Sequence, residues 1–348
     1  MVRRVTLREV AQEAQVSVAT ASLVLNNKPS RISQRTQQRI RDVAKRLQYV
    51  VNENARGLVT NETRLIALIV PDIENMFFAS LAKCLEMECR LSGYQLFISN
   101  SDDDRTLERQ LMRNFVGRDI DGLFLIPAID SYTDRALLHD QIYASPCPIA
   151  IIDRLITADI CDGVGFDNEL GGRLAAQRLL RADHERFACI TGNKDNVNAN
   201  TRCYGFLKAL QEHDVPADSI LTLDGNYRFS GGYDAADAVA DFGATGLFCC
   251  NDLMALGAID RFRELGIAIP ADLSIIGYDN IVKRFGLFTH LTTVEQNVSE
   301  LASQSWQCLY RHIQHHDSGR NCAKANDLLL LEPRLVEGDT VAQAPISR

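Results

Sequence analysis

From Leu65 onward one unit recurs, a short apolar run followed by an amphipathic helical stretch. The apolar runs read as strands at Leu65–Val70, Tyr94–Ser99, Gly122–Ile126 and Ile149–Ile152, with helices near Met76–Leu91, Leu107–Val116 and Asp134–Tyr143 between them. A second series places strands near Gly163–Phe166, Phe187–Thr191, Ile220–Leu223, Leu247–Cys250 and Ser274–Gly277, with helices near Glu169–Leu180, Arg202–Glu212, Gly231–Phe242 and Leu253–Leu265. A strand that returns through a helix must pair in parallel, and a parallel sheet has to be covered on both faces. Two doubly wound units in succession, with a crevice between them, satisfy that demand. Ligands of such sheets sit beyond the carboxyl ends of the strands.

The segment before this core has another period. Thr6 and Glu9 form a capping box for a helix from about Leu7 to Ala14, in which Leu7, Val10, Ala11 and Ala14 make one apolar face. Gln15-Val16 is a turn, and Ser17 caps a second helix from Val18 to about Leu25. Ala21, Val24 and Leu25 face the first helix, whereas Val18, Ala19, Ser22 and Leu23 face out. A third helix from Ser33 closes the small core with Ile40, Val43, Ala44 and Leu47. A short helix, a tight turn and a second exposed helix fit the DNA major groove.

Charge supports that reading. Residues 1–60 hold 11 Lys or Arg against 4 Asp or Glu, a net +7, while the remainder is −15, giving −8 for the 348-residue chain. A basic head on an acidic body is drawn to phosphate through the head alone. No apolar run is long enough to span a bilayer, and no apolar stretch follows the N-terminal arginines as a secretory signal requires. The 10 cysteines lack CxxC spacing and read as reduced core residues of a cytoplasmic protein.

Between head and core, Tyr49 to Asn61 is polar, contains Gly57 and allows about two helical turns, too few to be stable alone. It reads as a hinge that orders on DNA. Leu58 is its candidate wedge, since an apolar side chain pushed between base steps kinks the duplex; a linker leucine resting on the core is the plainer alternative. In the core, Asp72, Asn75, Phe77 and Phe78 follow the first strand, Asp153 and Arg154 the fourth, and the stretch from Gly192 to Arg202, Asn251-Asp252 and Tyr278-Asp279-Asn280 lie at strand ends of the second series. Carboxylates, amides and arginine beside phenyl rings suit a polyhydroxylated small molecule. Taken singly, Asp72, Asn75, Asn251 and Asp279 are equally well explained as helix caps.

Along nearly its whole length the chain resembles the lactose-repressor family of bacterial transcription regulators. The resemblance rests on VTLREVAQEAQVSVATAS, RISQRTQQRI, LQYVVN, ARGL, PDIENMFF, IAIIDR, TRCYGF, CNDLMALGAI, LSIIGYDN and LTTVEQ, in that order. It implies a small all-α helix-turn-helix DNA-binding domain followed by an α/β periplasmic-binding-protein-like core of two doubly wound parallel-sheet subdomains. The implied divisions are a headpiece over 1–48, a hinge over 49–61, a core over 62–340 and a tail over 341–348. Within the core, one subdomain spans 62–163 with 292–324 and the other 164–291 with 325–340, the chain crossing three times. The resemblance also implies that Thr20, Ser22 and Asn26 hold phosphates, that Val18, Ala19 and Leu23 face bases, and that Leu58 intercalates. Thr6, Ser17, Arg31, Asn52, Ala55 and Arg56 complete the DNA-binding candidates. The effector-binding candidates are Asp72, Asn75, Phe78, Asp153, Arg154, Asn198, Arg202, Asn251, Asp279 and Gln296. The partners implied are a near-palindromic double-stranded operator, a second copy of the chain and a small molecule, a sugar or, with Arg154, Lys194 and Arg202 as cations, a sugar phosphate. No cofactor is implied.

The chain departs from the family pattern at Val51 and Met76, where proline is usual, and at the Glu337-Gly338-Asp339 ending, which lacks an arginine. Val18, Ala19 and Leu23 carry no hydrogen-bonding side chain, so base reading rests on thymine methyls and DNA shape. His312, His315 and His316 share a helical face with metal-ligand spacing, but with no fourth ligand in view they read as a solvated helix end. Gly171-Gly172 and Gly231-Gly232 lack dinucleotide spacing, and Asp102-Asp103-Asp104 reads as a solvated loop and cap. No nucleophile–base arrangement stands out. An enzyme would depend on Asp153 with Asp279 as its acid–base pair. A third alternative keeps DNA binding and makes the ligand a corepressor, such as a purine stacked on Phe78.

Overall fold

The structure is a computed structural model that describes residues 5–26, 31–50, 62–155, 161–193, 196–286, 290–316 and 327–345. Two compact units are present, Met1–Thr63 and Arg64–Arg348.

In the first unit, α1 (Leu7–Glu13), α2 (Val18–Leu25) and α3 (Gln34–Arg46) follow the apolar periodicity. Thr6 Oγ1 accepts from Glu9 N at 3.3 Å while Thr6 N donates to Glu9 Oε2 at 2.7 Å, which closes the capping box. Ser17 and Ser33 cap α2 and α3 by accepting from the amides of Thr20 and Thr36. The turn between α1 and α2 is made by Gln15, whose φ of +53° is uncommon outside glycine. Val10, Ala11, Ala14, Ala21, Val24, Ile40, Val43 and Ala44 form the core. Small side chains at 11, 14 and 21 let the helices approach closely.

The second unit contains two six-stranded sheets. The first has the order β11-β5-β4-β3-β1-β2, from β1 (Leu65–Val70), β2 (Gln95–Asn100), β3 (Gly122–Leu125), β4 (Ile149–Ile152), β5 (Gly163–Phe166) and β11 (Leu328–Leu331). The second has the order β12-β10-β9-β8-β6-β7, from β6 (Phe187–Ile190), β7 (Ile220–Leu223), β8 (Gly246–Cys249), β9 (Ser274–Asp279), β10 (Thr292–Glu295) and β12 (Arg334–Val336). Among the described residues all strand pairings are parallel except β10 with β12. Alternation along β1 covers both faces. Ile66, Leu68 and Val70 pack with residues of α4 (Met76–Leu91) and α12 (Val298–His316), while Ala67 and Ile69 pack with those of α5 (Arg105–Val116) and α6 (Arg135–Tyr143).

On the second sheet lie α7 (Asn168–Leu180), α8 (Val197–Glu212), α9 (Phe229–Phe242) and α10 (Asp252–Glu264), with the short α11 (Ile281–Arg284) after β9. The glycine pairs serve this packing. A Cβ on Gly172 would lie 1.9 Å from Arg202 O, and one on Gly232 would lie 1.8 Å from Met254 O, so α7–α8 and α9–α10 touch backbone to backbone.

The chain passes between the sheets three times, each time one strand later than the sequence boundaries place it. β5, assigned by sequence to the second series, pairs with β4 through Ile151↔Gly163 and Ile152↔Val164 and belongs to the first sheet. β10 lies in the second sheet and β11 in the first, the reverse of what the expected segments 292–324 and 325–340 give for these two strands, whereas α12 and β12 lie where those segments put them. Partner choice for four-residue strands is a long-range property that periodicity does not contain. The crossings therefore fall near Asp167, Gln296 and Glu332.

Candidate functional site

In the first unit, α2 presents Val18, Ala19 and Leu23 outward, with Val18 44% and Leu23 37% exposed, while Ala21 and Val24 are buried. That is the orientation a reading helix needs. Thr20 Oγ1 and Ser17 Oγ are 2.8 Å apart, and Asn26 Nδ2 donates to Ser22 O at 2.9 Å. The Asn26 amide therefore closes the C-terminus of its own helix, a use not evident from sequence. Arg31, Arg35, Arg39 and Arg41 lie near or on α3, and Arg46 pairs with Glu13 at 2.6 Å. The candidates Asn52, Ala55, Arg56 and Leu58, with Val51 and Lys194, lie outside the described residues.

In the second unit a cavity of about 550 Å³ opens at the carboxyl ends of the strands, between the two sheets. Of the effector candidates, Asp72, Asn75, Phe78, Asp153, Arg154, Asn198, Arg202, Asp279 and Gln296 line it. Asn251 does not. It caps α10 by accepting from Met254 N at 2.9 Å, and its amide donates to Tyr227 O at 2.8 Å. Asn75 does both jobs, lining the cavity while accepting from Phe77 N at 3.0 Å.

The cleft floor is a network around Arg202. Its Nε donates to Asn168 Oδ1 at 2.7 Å, Nη1 to Cys250 O at 2.7 Å and to Asp279 Oδ1 at 3.5 Å, and Nη2 to Gln296 Oε1 at 3.1 Å. Its guanidinium carbon stands 3.8 Å over the Tyr278 ring. Gln296 occupies one of the crossings, so this arginine links the second sheet to a strand junction. Arg154 donates to Asp103 Oδ1 at 2.6 Å and Pro127 O at 3.0 Å and faces the Phe78 ring at 5.7 Å. Asp103 was expected in a solvated loop; only Asp104 of that triplet caps α5, by accepting from Thr106 N and Leu107 N. At the mouth, Arg228 donates to Asp72 Oδ2 at 2.8 Å, joining the two halves.

Burial pushes the carboxyl of Asp153 above the usual range, with Arg202 and Arg154 opposing it. Burial likewise raises Asp279 well above its ordinary value; Arg202 opposes this, while Asp252 and Asp153 add to it. The buried atoms Asp153 Oδ1, Gln296 Nε2 and Tyr227 OH have no hydrogen-bond partner. Asp153, Tyr227 and Asp279 also hold φ values of +64°, +60° and +99°, a cost paid where backbone geometry serves a site. Tyr227, Asp103 and Arg228 were not candidates on sequence, because nothing local marks them. They lie in loops, and their positions follow from how the sheets stack.

Residues 6–52 match the family described as bacterial regulatory proteins, lacI family, and residues 176–341 match a periplasmic binding protein-like domain. The HTH-type transcriptional regulator DegA of Bacillus subtilis (strain 168) is 34% identical over 337 residues, covering 96% of this chain and 97% of that protein. The chain belongs to the lacI family of bacterial regulatory proteins. A second relative in kind is the HTH-type transcriptional repressor PurR of Mannheimia succiniciproducens, 30% identical over 328 residues and covering 94% of this chain and 97% of that one. Among solved structures, a LacI family regulator of Enterococcus faecium with bound ribose is 29% identical with a TM-score of 0.70, covering 80% of this chain and 99% of that chain. The lac repressor dimer bound to operator and an anti-inducer superposes with a TM-score of 0.86 at 23% identity, over 98% of this chain and all of that one, and shares the fold. As a member of the lacI family the protein is a DNA-binding transcriptional regulator and not an enzyme. Among the described residues no helix is long and apolar enough to cross a membrane.

Proposed function

We infer that the protein is a repressor that binds a near-palindromic operator as a homodimer, with an affinity set by an uncharged, polyhydroxylated small molecule in the cleft. The observation that carries the ligand class is the charge pairing of the cavity. Among the described residues, its arginines, Arg154, Arg202 and Arg228, each face a carboxylate, respectively Asp103, Asp279 and Asp72, while its partnerless buried atoms are Asp153 Oδ1, Gln296 Nε2 and Tyr227 OH. Hydroxyl groups both donate and accept, and so satisfy an orphaned carboxylate oxygen and an orphaned amide together. Among the described residues, a phosphate would have to break one of the arginine pairs and face Asp72, Asp103, Asp153 and Asp279. This reading favours a sugar over a sugar phosphate.

Dimerisation is supported by exposed apolar side chains on α4 and the edge strand β2, where Leu91 is 75%, Met87 43%, and Phe97 and Ile98 each 45% exposed. One small head binds DNA at non-specific strength, about 10⁻⁴ to 10⁻⁶ M, and two heads on one duplex multiply that. The hinge with Asn52, Ala55, Arg56 and Leu58 is the segment that would secure the dimer in the minor groove. A bacterial operator is read in the cytoplasm, on the nucleoid, and that is where we place the protein.

The test is a thermal-unfolding screen of the full chain against neutral sugars, their phosphates and purine bases, followed by operator titration with whatever binds. A ligand at about 100 times its Kd adds roughly 2.7 kcal/mol of stability. Neutral sugars are expected to supply the hits. Hits confined to sugar phosphates overturn the charge argument. Hits confined to purines, with operator affinity raised on binding, establish the corepressor alternative.

A further inference from the structure

At the amino end of the first sheet, away from the cleft, a carboxylate, a thiol and an imidazole converge. Asp162 directly precedes β5, while Cys308 and His312 stand one turn apart on α12. One donor atom from each lies within 4.8 Å of the others. His312 Nε2 is 2.6 Å and Cys308 Sγ 3.7 Å from the same oxygen, Asp162 Oδ2. The other oxygen, Oδ1, accepts from Asp327 N at 2.8 Å, which fixes the carboxylate plane and leaves Oδ2 as a single ligand atom. A cavity of about 420 Å³ adjoins the cluster and is lined in part by Cys308 and Asp327, so an ion has an entry path. Asp162 and Cys308 are buried and His312 is half-buried.

We propose that Asp162, Cys308 and His312 bind a zinc-class divalent ion that pins the C-terminal turns of α12 to the starts of β5 and β11. Cys–His–carboxylate is a borderline-soft donor set suited to tetrahedral zinc. Bond lengths of about 2.3 Å to sulfur and about 2.0–2.1 Å to nitrogen and oxygen imply edges of roughly 3.6 Å for sulfur–oxygen and roughly 3.4 Å for nitrogen–oxygen. The sulfur–oxygen distance of 3.7 Å already fits, whereas the imidazole has to draw back, from 2.6 Å. Being half-buried, His312 has room to do so. Binding releases the thiol proton of Cys308 to solvent, and water or the Asp327 carboxylate completes the shell. Arg311, exposed on the same helix, lines that cavity beside Cys308, and its guanidinium has to stay turned outward. A hydrogen-bonded clip between α12 and β5 would explain the histidine–aspartate pair, but it does not call for a buried thiol aimed at the same oxygen.

The experiment is Co²⁺ binding to the full chain under reducing conditions, read by the near-ultraviolet thiolate-to-cobalt charge-transfer band and by equilibrium dialysis. The expected result is one equivalent of Co²⁺ with the band present, displaced by Zn²⁺. Cys308→Ser should abolish the band, His312→Gln should weaken binding at least about tenfold, and Cys147→Ser should change neither. His312→Gln alters a half-buried residue and stays interpretable even if the serine variant fails to fold. Absence of the band in the unaltered protein, or a band and affinity unchanged in His312→Gln or Cys308→Ser, overturns the proposal.

Discussion

Arg228 Nη2 lies 2.8 Å from Asp72 Oδ2, and this pair joins the loop after β7 to the loop after β1 across the mouth of the cleft. The two strands belong to different sheets, so the pair closes the cavity without touching its floor. The arginine is 60% exposed and the aspartate 30%, which limits the pair to about 0.2–1 kcal/mol. Arg228→Ala should therefore raise the Kd of a cleft ligand by about 1.5- to 5-fold at low salt. Raising the salt should bring the unaltered protein toward the variant, because an exposed pair is screened. Isothermal titration at two ionic strengths reads both effects.

Asn251 separates capping from binding. Its carbonyl oxygen accepts from Met254 N, and its amide donates to Tyr227 O rather than into the cavity. Asn251→Ala should cost about 0.5–2 kcal/mol of stability in denaturant unfolding. Ligand affinity should change much less than for Asp153→Asn, which removes a carboxylate lining the cavity.

Asp252 gives a pH signature. Its carboxyl accepts from Thr293 Oγ1 at 2.6 Å and Ile281 N at 2.7 Å, yet burial outweighs these bonds and raises its pKa from 3.8 to about 6. The native state thus holds a proton that the unfolded chain releases. Its contribution to stability is full below about pH 4 and is lost as pH rises through about 6, on the order of 3 kcal/mol in all. Urea unfolding of the protein and of Asp252→Asn from pH 4 to 7 should show the difference between them change in that window. A constant difference would remove Asp252 as its source.

How far the sequence reveals this molecule depends on the range of each interaction. The helix-turn-helix rests on local caps and spacing, such as Thr6 with Glu9, and α1 to α3 lie where periodicity puts them. Sheet membership was less accessible: β5 is GVGF, and nothing in four residues selects Ile151 and Ile152 as neighbours. β2 reads as apolar but is an edge strand with Phe97 and Ile98 exposed. The pairs Arg154–Asp103 and His312–Asp162 are 51 and 150 residues apart, so Asp103 on its own reads as part of a solvated loop and His312 as part of a solvated helix end. Of the cleft residues that sequence did find, Asp72, Asp153, Arg154 and Gln296 stand directly after strands and Phe78, Asn198 and Arg202 in the first turns of the helices that follow, where doubly wound topology alone marks a site.

Leu23 isolates base reading from phosphate attraction. It is exposed on α2 and carries no charge. Leu23→Ala should weaken operator binding by about 1–2 kcal/mol through lost apolar contact with thymine methyls. Non-specific binding and the slope of affinity against salt should stay unchanged, since no phosphate partner is removed. Fluorescence anisotropy with operator and scrambled duplexes over a salt series provides the comparison.

The most direct test of the whole account is selection of genomic fragments by the purified full chain at near-physiological salt, followed by sequencing and by repetition with the cleft ligand added. The account predicts a recurring near-palindrome whose recovery changes when the ligand is present. Fragments that share no sequence, bind only at low salt and respond to no ligand would contradict it.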